Sequence, residues 1–350
     1  MSGTRNRVRV FSLRPATSIR LRDRGKGPAA PSPRFLAPAG RINLPAADRL
    51  LALATAAGAL VILLVVVLFA CELAYRSYPA WARFGPGFVT SAAWDPVRGE
   101  FGALPLVYGT LASSLVALAL ALPLGLGSAI FLAELAPAWL RNPLSFAVEL
   151  LAAVPSVVYG LWGLFVLVPW VRTHVQPFLG HWLGWLPLFQ GPPLGLGLLT
   201  AGILLAIMVT PTIAAIGREV LLAVPLHQRE AILALGATRW ETIRLVLLPY
   251  ARAGLFGAVI LALGRALGET MAVTMVIGNR HQITASLFEP AQTIASALAN
   301  EFAEAHTALH MSALMAAALV LFLTTLTVNV AARLLIRKVA RGPEGMRYEC

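Results

Sequence analysis

The feature that most limits what this chain can become is the run from Leu50 to Cys71, in which 22 consecutive residues carry no charge. About 20 helical residues cross the hydrocarbon of a bilayer, where no water is present to satisfy backbone N–H and C=O groups. A transmembrane helix is therefore expected over 50–73. A cleaved signal segment has an apolar region of about 7–15 residues near the start of its chain. This run is longer and follows 49 residues. Leu68-Phe69-Ala70-Cys71 faintly resembles a lipoprotein cleavage site, but at the end of so long a run it is read as chance. Further apolar stretches at approximately 104–132, 144–170, 194–216, 253–277 and 312–335 bring the expected total to six helices. Internal prolines such as Pro123 and Pro211 are tolerated where neighbouring helices re-satisfy the backbone. Composition agrees: 58% hydrophobic against 13% charged residues, with a mean hydropathy of +0.75, excludes a water-soluble enzyme. The expected fold class is an all-α membrane protein, with five of its six transmembrane helices in a core over 100–336.

The net charge of +12 is not spread over a nucleic-acid-binding face. Eleven Lys and Arg fall in residues 1–49 against two acids, which reads as a disordered basic tail. An organelle transit peptide remains an alternative on composition. Nucleic-acid binding is disfavoured, because Phe11 and Phe35 alone are available there to stack on bases. Summed over alternate loops, 22 basic residues lie on the side of the N-terminal tail, Arg141, the stretch 217–252 and the C-terminal segment that ends in a short tail over 337–350. Five lie on the other side: Arg76, Arg83, Arg98, Arg172 and Arg280. The positive-inside rule then puts both termini in the cytoplasm, as an even number of crossings requires. Trp81, Trp94, Trp170, Trp182 and Trp185 fall on the outward side, where interfacial aromatics belong. Cys71 and Cys350 cannot build a disulfide framework or a four-ligand zinc site.

Between the fourth and fifth apolar runs lies Val224-Pro225-Leu226-His227-Gln228-Arg229-Glu230-Ala231-Ile232-Leu233-Ala234-Leu235-Gly236-Ala237-Thr238-Arg239-Trp240-Glu241, continuing to Pro249. Pro225 suits the first turn of a helix and Gly236 the left-handed position that ends one. Thr238 with Glu241 three residues on has capping-box spacing, so a second helix begins at once and runs toward Pro249. Such an elbow, carrying Arg229, Glu230, Arg239, Glu241 and Arg244, is either a solvated amphipathic loop or a docking element. The spacing of Glu230-Ala231, Gly236 and Val246-Leu247-Leu248-Pro249 resembles the EAA loop of ABC importer permeases, with Ile232 in place of the third Ala and Val246 in place of an Ile.

The resemblance extends over approximately residues 100–335. Ala153-Val154-Pro155-Ser156-Val157-Val158-Tyr159-Gly160, Gly264-Arg265-Ala266-Leu267-Gly268-Glu269-Thr270-Met271 and Thr293-Ile294-Ala295-Ser296 with Ala299-Asn300-Glu301-Phe302 are similar to the C-type permease subunits of phosphate-specific ABC importers. The resemblance implies a type I importer permease (MetI-like) fold of six helices in a bacterial inner membrane. It implies that Glu230, Ala231 and Gly236 belong to a coupling helix seated in a separate ATPase, which binds ATP and Mg. The implied partners are a homologous A-type permease, two ATPase subunits and an external phosphate-binding protein.

Arg265 and Glu269 interrupt the fifth apolar run, where a charge costs about 2.5–3.5 kcal/mol on insertion scales. At i and i+4 they would share a helical face and pair, either to fix helix register or to serve a translocation path. Arg can bind oxyanions bidentately, so Arg265 would offer countercharge to phosphate while Glu269 neutralises it when the path is empty. The resemblance implies a functional Arg and Glu at these positions. Gly264 and Gly268 form a small-xxx-small motif expected to admit a neighbouring backbone closely.

The chain shows no Gly-rich phosphate loop, so ATP hydrolysis is expected in another polypeptide. His306 and His310 have zinc-helix spacing, but Thr307 stands where a catalytic Glu is required, and no metal site or catalytic residue is expected. Pro290 could open an amphipathic helix with Ile294, Leu298 and Phe302 on one face, lying at headgroup level or docking the binding protein over 290–304. A permease for sulfate or molybdate, and a channel or structural subunit without an ATPase, remain the rival expectations.

Overall fold

The structure, a computed structural model, describes residues 46–340, with side chains over 48–336. Most of the basic N-terminal tail and the last ten residues lie outside the described residues. The chain divides into two compact units, 1–61 and 62–350, with the boundary inside helix α1 (Ala46–Phe84). In the first unit, every residue over 48–61 is exposed, as a lipid-facing helix requires. α1 is longer at both ends than the expected 50–73. Its extension is set by packing that hydropathy does not register. Ser77 and Ala80 are fully buried, and beyond Pro79 the Ala80 N–H donates to Ser312 Oγ at 2.9 Å. Trp81 and Phe84 pack on Phe88 with ring centroids 5.6 and 6.5 Å apart, and Phe84 meets Phe101 at 6.2 Å. Phe101 belongs to a two-stranded antiparallel hairpin, β1 (Trp94–Asp95) and β2 (Glu100–Phe101).

Five more helices are long and apolar enough to span, making six among the described residues. α2 (Leu104–Ile130) continues through a π turn, Phe131–Leu135. α5 (Leu198–Leu222) and α10 (Ala308–Ala340) match the fourth and sixth expected runs. The third run is displaced: 144–170 is not one helix, because α3 (Ala138–Ala153) stops at Val154 and the spanning helix is α4 (Ser156–Leu183). The cause is Pro155, whose ring disfavours helical backbone in the residue before it; Val154 sits at ψ 131°. The fifth run is displaced the other way. After α6 (Leu226–Ala234), α7 (Arg239–Leu267) rises directly from the elbow and closes at Gly268, and a separate α8 (Met271–Val276) follows. Pro249 does not end α7, because a π turn over Ile243–Leu247 precedes it and accommodates the missing N–H.

The centre of the bundle is the contact of α2 with α5. Cβ atoms built on Gly125 and Gly217 would lie 2.7 Å from Ile213 Cβ and 2.9 Å from Ala129 Cβ, and one on Gly202 would collide with Val116. Partner numbers rise together along both helices, so the two run parallel, with α4 crossing back between them. Ala117, Ala121 and Ala129 of α2 and Leu204, Leu205, Met208 and Ile213 of α5 are completely buried.

The segment after α8 folds back into the bundle. With the last residue of α8 it supplies carbonyls to N–H groups at the start of α5 that lack acceptors within their own helix: Gly197 donates to Val276 O (3.1 Å), Leu198 to Glu289 O (3.2 Å) and Leu199 to Leu287 O (2.8 Å). The helix expected from Pro290 starts later, as α9 (Ile294–Glu301), behind a Thr293–Ser296 capping box. Ile294, Ala295, Ser296 and Ala297 are buried and the Ile294 N–H donates to Thr110 Oγ1 at 3.0 Å, so α9 is packed into the bundle against α2. Gly109 of α2 faces Gln292 O so closely that a Cβ there would overlap it. Gly109→Ala is therefore expected to cost about 1–3 kcal/mol. Gly127→Ala, whose Cβ would meet nothing within 4 Å, should leave stability unchanged or raise it by about 0.5–1 kcal/mol. Thermal unfolding of the two variants in detergent should separate their midpoints in that order; coincident midpoints would contradict the packing.

Candidate functional site

The elbow is built as its residues require. α6 begins after Pro225, in extended conformation at ψ 135°, and ends where Gly236 adopts φ +88°. The Gly236 and Ala237 N–H groups close the turn on Leu233 O (3.0 Å) and Ile232 O (3.3 Å). Thr238 and Glu241 form the reciprocal capping box: the Glu241 N–H donates to Thr238 Oγ1 (3.3 Å) and the Thr238 N–H to Glu241 Oε2 (2.7 Å). Glu230, Ala231 and Gly236 are all exposed on this elbow. So are Leu226 (70%), Leu235 (87%) and Trp240 (62%), large apolar side chains left uncovered on a segment whose α6 buries no residue.

One elbow residue points inward. Arg229 Nη1 lies 2.6 Å from Glu134 Oε1 in the π turn that ends α2, and its Nη2 donates to Leu221 O in the last turn of α5 at 2.6 Å. The Nη1–Oε1 contact is Coulombic, since Glu134 Oε1 is not met along a hydrogen-bond direction. The pair lines a cavity of about 530 Å³ between the elbow and the α2–α3 turn, with Arg141, Arg239 and Thr242 also on its wall. Glu134 was not anticipated from sequence. Its signal was an acid within three residues of the end of an apolar run, a position that also suits simple solvation.

The fifth-run charges are not arranged as their spacing suggested. Arg265 lies in the last turn of α7, but Glu269 is already extended at ψ 129°, so the two do not share a helix face and no ion pair joins them. The half-buried Arg265 places Nη1 3.5 Å from Thr212 Oγ1 of α5, and it lies within electrostatic reach of Tyr159 of α4. Glu269 Oε1 accepts the Ala272 N–H at 3.3 Å, capping α8. The same helix α7 also contains Arg244 and Arg252 nearer the elbow. Gly264 and Gly268 admit no close neighbour from this chain. A Cβ on the first would lie 3.9 Å from Asn329 Oδ1 and one on the second would meet nothing within 4 Å; each borders an open groove. The tight helical glycines lie elsewhere, at Gly109 and Gly125 of α2, Gly160 and Gly163 of α4, Gly202 and Gly217 of α5 and Gly254 of α7. Glu149 is exposed on α3.

At the end of the bundle away from the elbow, Glu301 gathers three donors. Trp94 Nε1 reaches Oε2 at 2.9 Å, His281 Nε2 reaches Oε1 at 3.1 Å and His310 Nε2 reaches Oε2 at 3.1 Å. His281 stacks on Trp94 and His310 on Phe101, with centroids 5.6 and 5.2 Å apart. His310 is thereby engaged as a carboxylate partner, away from His306. Burial pushes the Glu301 carboxyl up, but hydrogen bonds from His281, Trp94 and His310, with the charge of His281, outweigh it and hold it below the usual carboxylate range. Sequence spacing could not show this cluster, because its members come from a hairpin, a returning loop, α9 and α10.

Residues 121–341 match the family described as binding-protein-dependent transport system inner membrane component. The chain is 48% identical over 289 residues to the phosphate transport system permease protein PstC of Mesorhizobium japonicum, covering 81% of this chain and 88% of that one. To the protein of the same name from Pasteurella multocida it is 47% identical over 287 residues, covering 81% and 89%. Among solved structures, a bacterial ABC transporter involved in the import of the acidic polysaccharide alginate superposes with a TM-score of 0.56 at 15% identity. That match covers 84% of this chain and 98% of the other, and is a likeness of fold.

The Glu301 cluster has a pH signature. A carboxyl held low when folded contributes stability above its unfolded pKa and loses it as pH falls through the lower, folded value. Glu301→Gln is expected to destabilise by about 1–3 kcal/mol near neutral pH. The difference from the parent protein should shrink on acidification below the carboxylate range. Unfolding midpoints recorded against pH test this, and a gap that widens in acid would refute it.

Proposed function

This chain belongs to the binding-protein-dependent transport system inner membrane components, and from that premise we propose that it is the membrane permease subunit of an ATP-driven phosphate importer. The observation that carries the mechanical half of this reading is the elbow. A short helix with exposed apolar side chains joins the spanning helix α7 through one turn, fixed by Gly236 and a capping box. Closure of an ATPase against Glu230, Ala231 and Gly236 would swing α7 as a lever, which is rigid-body transmission between two membrane states. ATP and Mg would reside in that ATPase. A homologous A-type permease, two ATPase copies and an external binding protein complete the proposed assembly. The excess of Lys and Arg on the elbow side supports a cytoplasmic elbow and cytoplasmic termini.

The substrate half rests on the relatives named for phosphate transport, which favour phosphate over sulfate or molybdate and over a channel without an ATPase. Arg265 suits that cargo. Placed among α4, α5 and α7 and held by a long contact to Thr212 in place of a carboxylate, its guanidinium is free to meet an anion. Glu269 acts beside it by ending α7 and capping α8, which puts a backbone break next to the charge.

Radiolabelled phosphate uptake in vesicles is the direct test. Arsenate should compete while sulfate and molybdate should not, and competition by sulfate would move the substrate to another oxyanion. Arg265→Gln should lower uptake by about tenfold to a hundredfold in complexes that still assemble. Glu230→Arg should abolish co-purification of the ATPase. Retained uptake in the first variant removes Arg265 from the path, and retained ATPase in the second removes Glu230 from the docking face.

A further inference from the structure

The docking reading explains what the outer face of the elbow does and leaves its inner face without a role. α6 buries none of its own residues, so its hold on the bundle away from the two chain connections depends on what its side chains reach. Arg229 reaches furthest. With side chains 14% and 20% exposed, the Arg229–Glu134 pair is poorly screened by solvent and salt. Leu221 O, which takes the other arm and also accepts the Val224 N–H at 3.3 Å, is among the last carbonyls of α5, at the negative end of the helix dipole. One planar fork thus ties the elbow to the ends of both α2 and α5, the two helices that interlock through their glycines.

Without this tie, motion of α6 would reach the α2–α5 pair by way of α7, whose Leu247, Ala251 and Leu255 pack with Ala129, Ala133 and Leu221. With it, the same motion is applied at once to the α2–α5 pair. From this juxtaposition we infer that the Arg229–Glu134 ion pair is the joint that passes elbow displacement to the α2–α5 core, which makes both residues positioning residues for coupling. The inference rests on the reading of the elbow as the ATPase-docking element. Its chemistry is specific. A lysine at 229 keeps the charge but not the two-armed reach, and a glutamine at 134 keeps the volume but not the charge.

The experiment uses the complete complex in proteoliposomes and measures phosphate transported per ATP hydrolysed. Glu134→Gln and Arg229→Lys should retain the ATPase on purification while that ratio falls on the order of tenfold. The double exchange Arg229→Glu with Glu134→Arg rebuilds the pair without the Leu221 contact and should recover part of the ratio. A merely structural anchor would lower yield or thermal stability and leave the ratio of the surviving complexes unchanged; that result overturns the inference. Loss of the ATPase from Glu134→Gln complexes would also overturn it, by placing the pair in docking itself. Failure of the underlying reading looks different: the unaltered chain would then purify without any ATPase, and both conclusions would fall together.

Discussion

In a bilayer, apolar side chains gain nothing by leaving lipid for one another, so two spanning helices hold together only where their backbones come close enough for dispersion contacts to accumulate. The α2–α5 contact meets that demand. Gly125, Gly202 and Gly217, with Ala117, Ala121 and Ala129, remove the side-chain volume that would keep the helices apart. The other sites are referred to this pair. Glu134 ends one of its helices, Leu221 and Thr212 lie on the other, and Arg229 and Arg265 each contact it.

The second constraint is that irregular backbone at membrane depth must find partners inside the protein. The chain breaks its helices at Val154–Pro155 and at Glu269–Thr270, and in both places the freed groups are served locally. Glu269 accepts from Ala272, and Tyr159 donates to Leu151 O at 2.9 Å across the first break. The return segment does the same for the start of α5, whose leading N–H groups take carbonyls from Val276, Leu287 and Glu289. The returning loop is therefore part of the packing that holds α5 in place.

The charges divide by surroundings. Glu301 is partly buried and receives three donors, through which it ties the hairpin, the return loop and α10 together. Arg229 and Glu134 neutralise one another on a cavity wall. Arg265 and Glu269 each take a weak polar contact of their own, at 3.5 and 3.3 Å, and neither neutralises the other. Charge held that loosely fits the proposed exchange with an anion, and the tightly engaged Arg229–Glu134 pair fits the proposed joint.

Hydrophobic run length determined the number of spanning helices, and it did so because hydrocarbon admits no unpaired backbone over that distance. Backbone chemistry determined the elbow: Pro225, Gly236 and the Thr238–Glu241 box act within a few residues, so their effect was legible before any tertiary contact. Where the spans begin and end was not legible, since Pro155 and the packing of Ser77 and Ala80 shift the boundaries without changing hydropathy. The Arg265–Glu269 pair failed for a related reason, because spacing implies a shared face only if the helix continues, and α7 ends at Gly268. The Arg229–Glu134 joint and the Glu301 cluster were decided by tertiary structure alone. Their members are far apart in sequence, and only the packing of parallel helices and a returning loop brings the opposite charges into a common low-dielectric space.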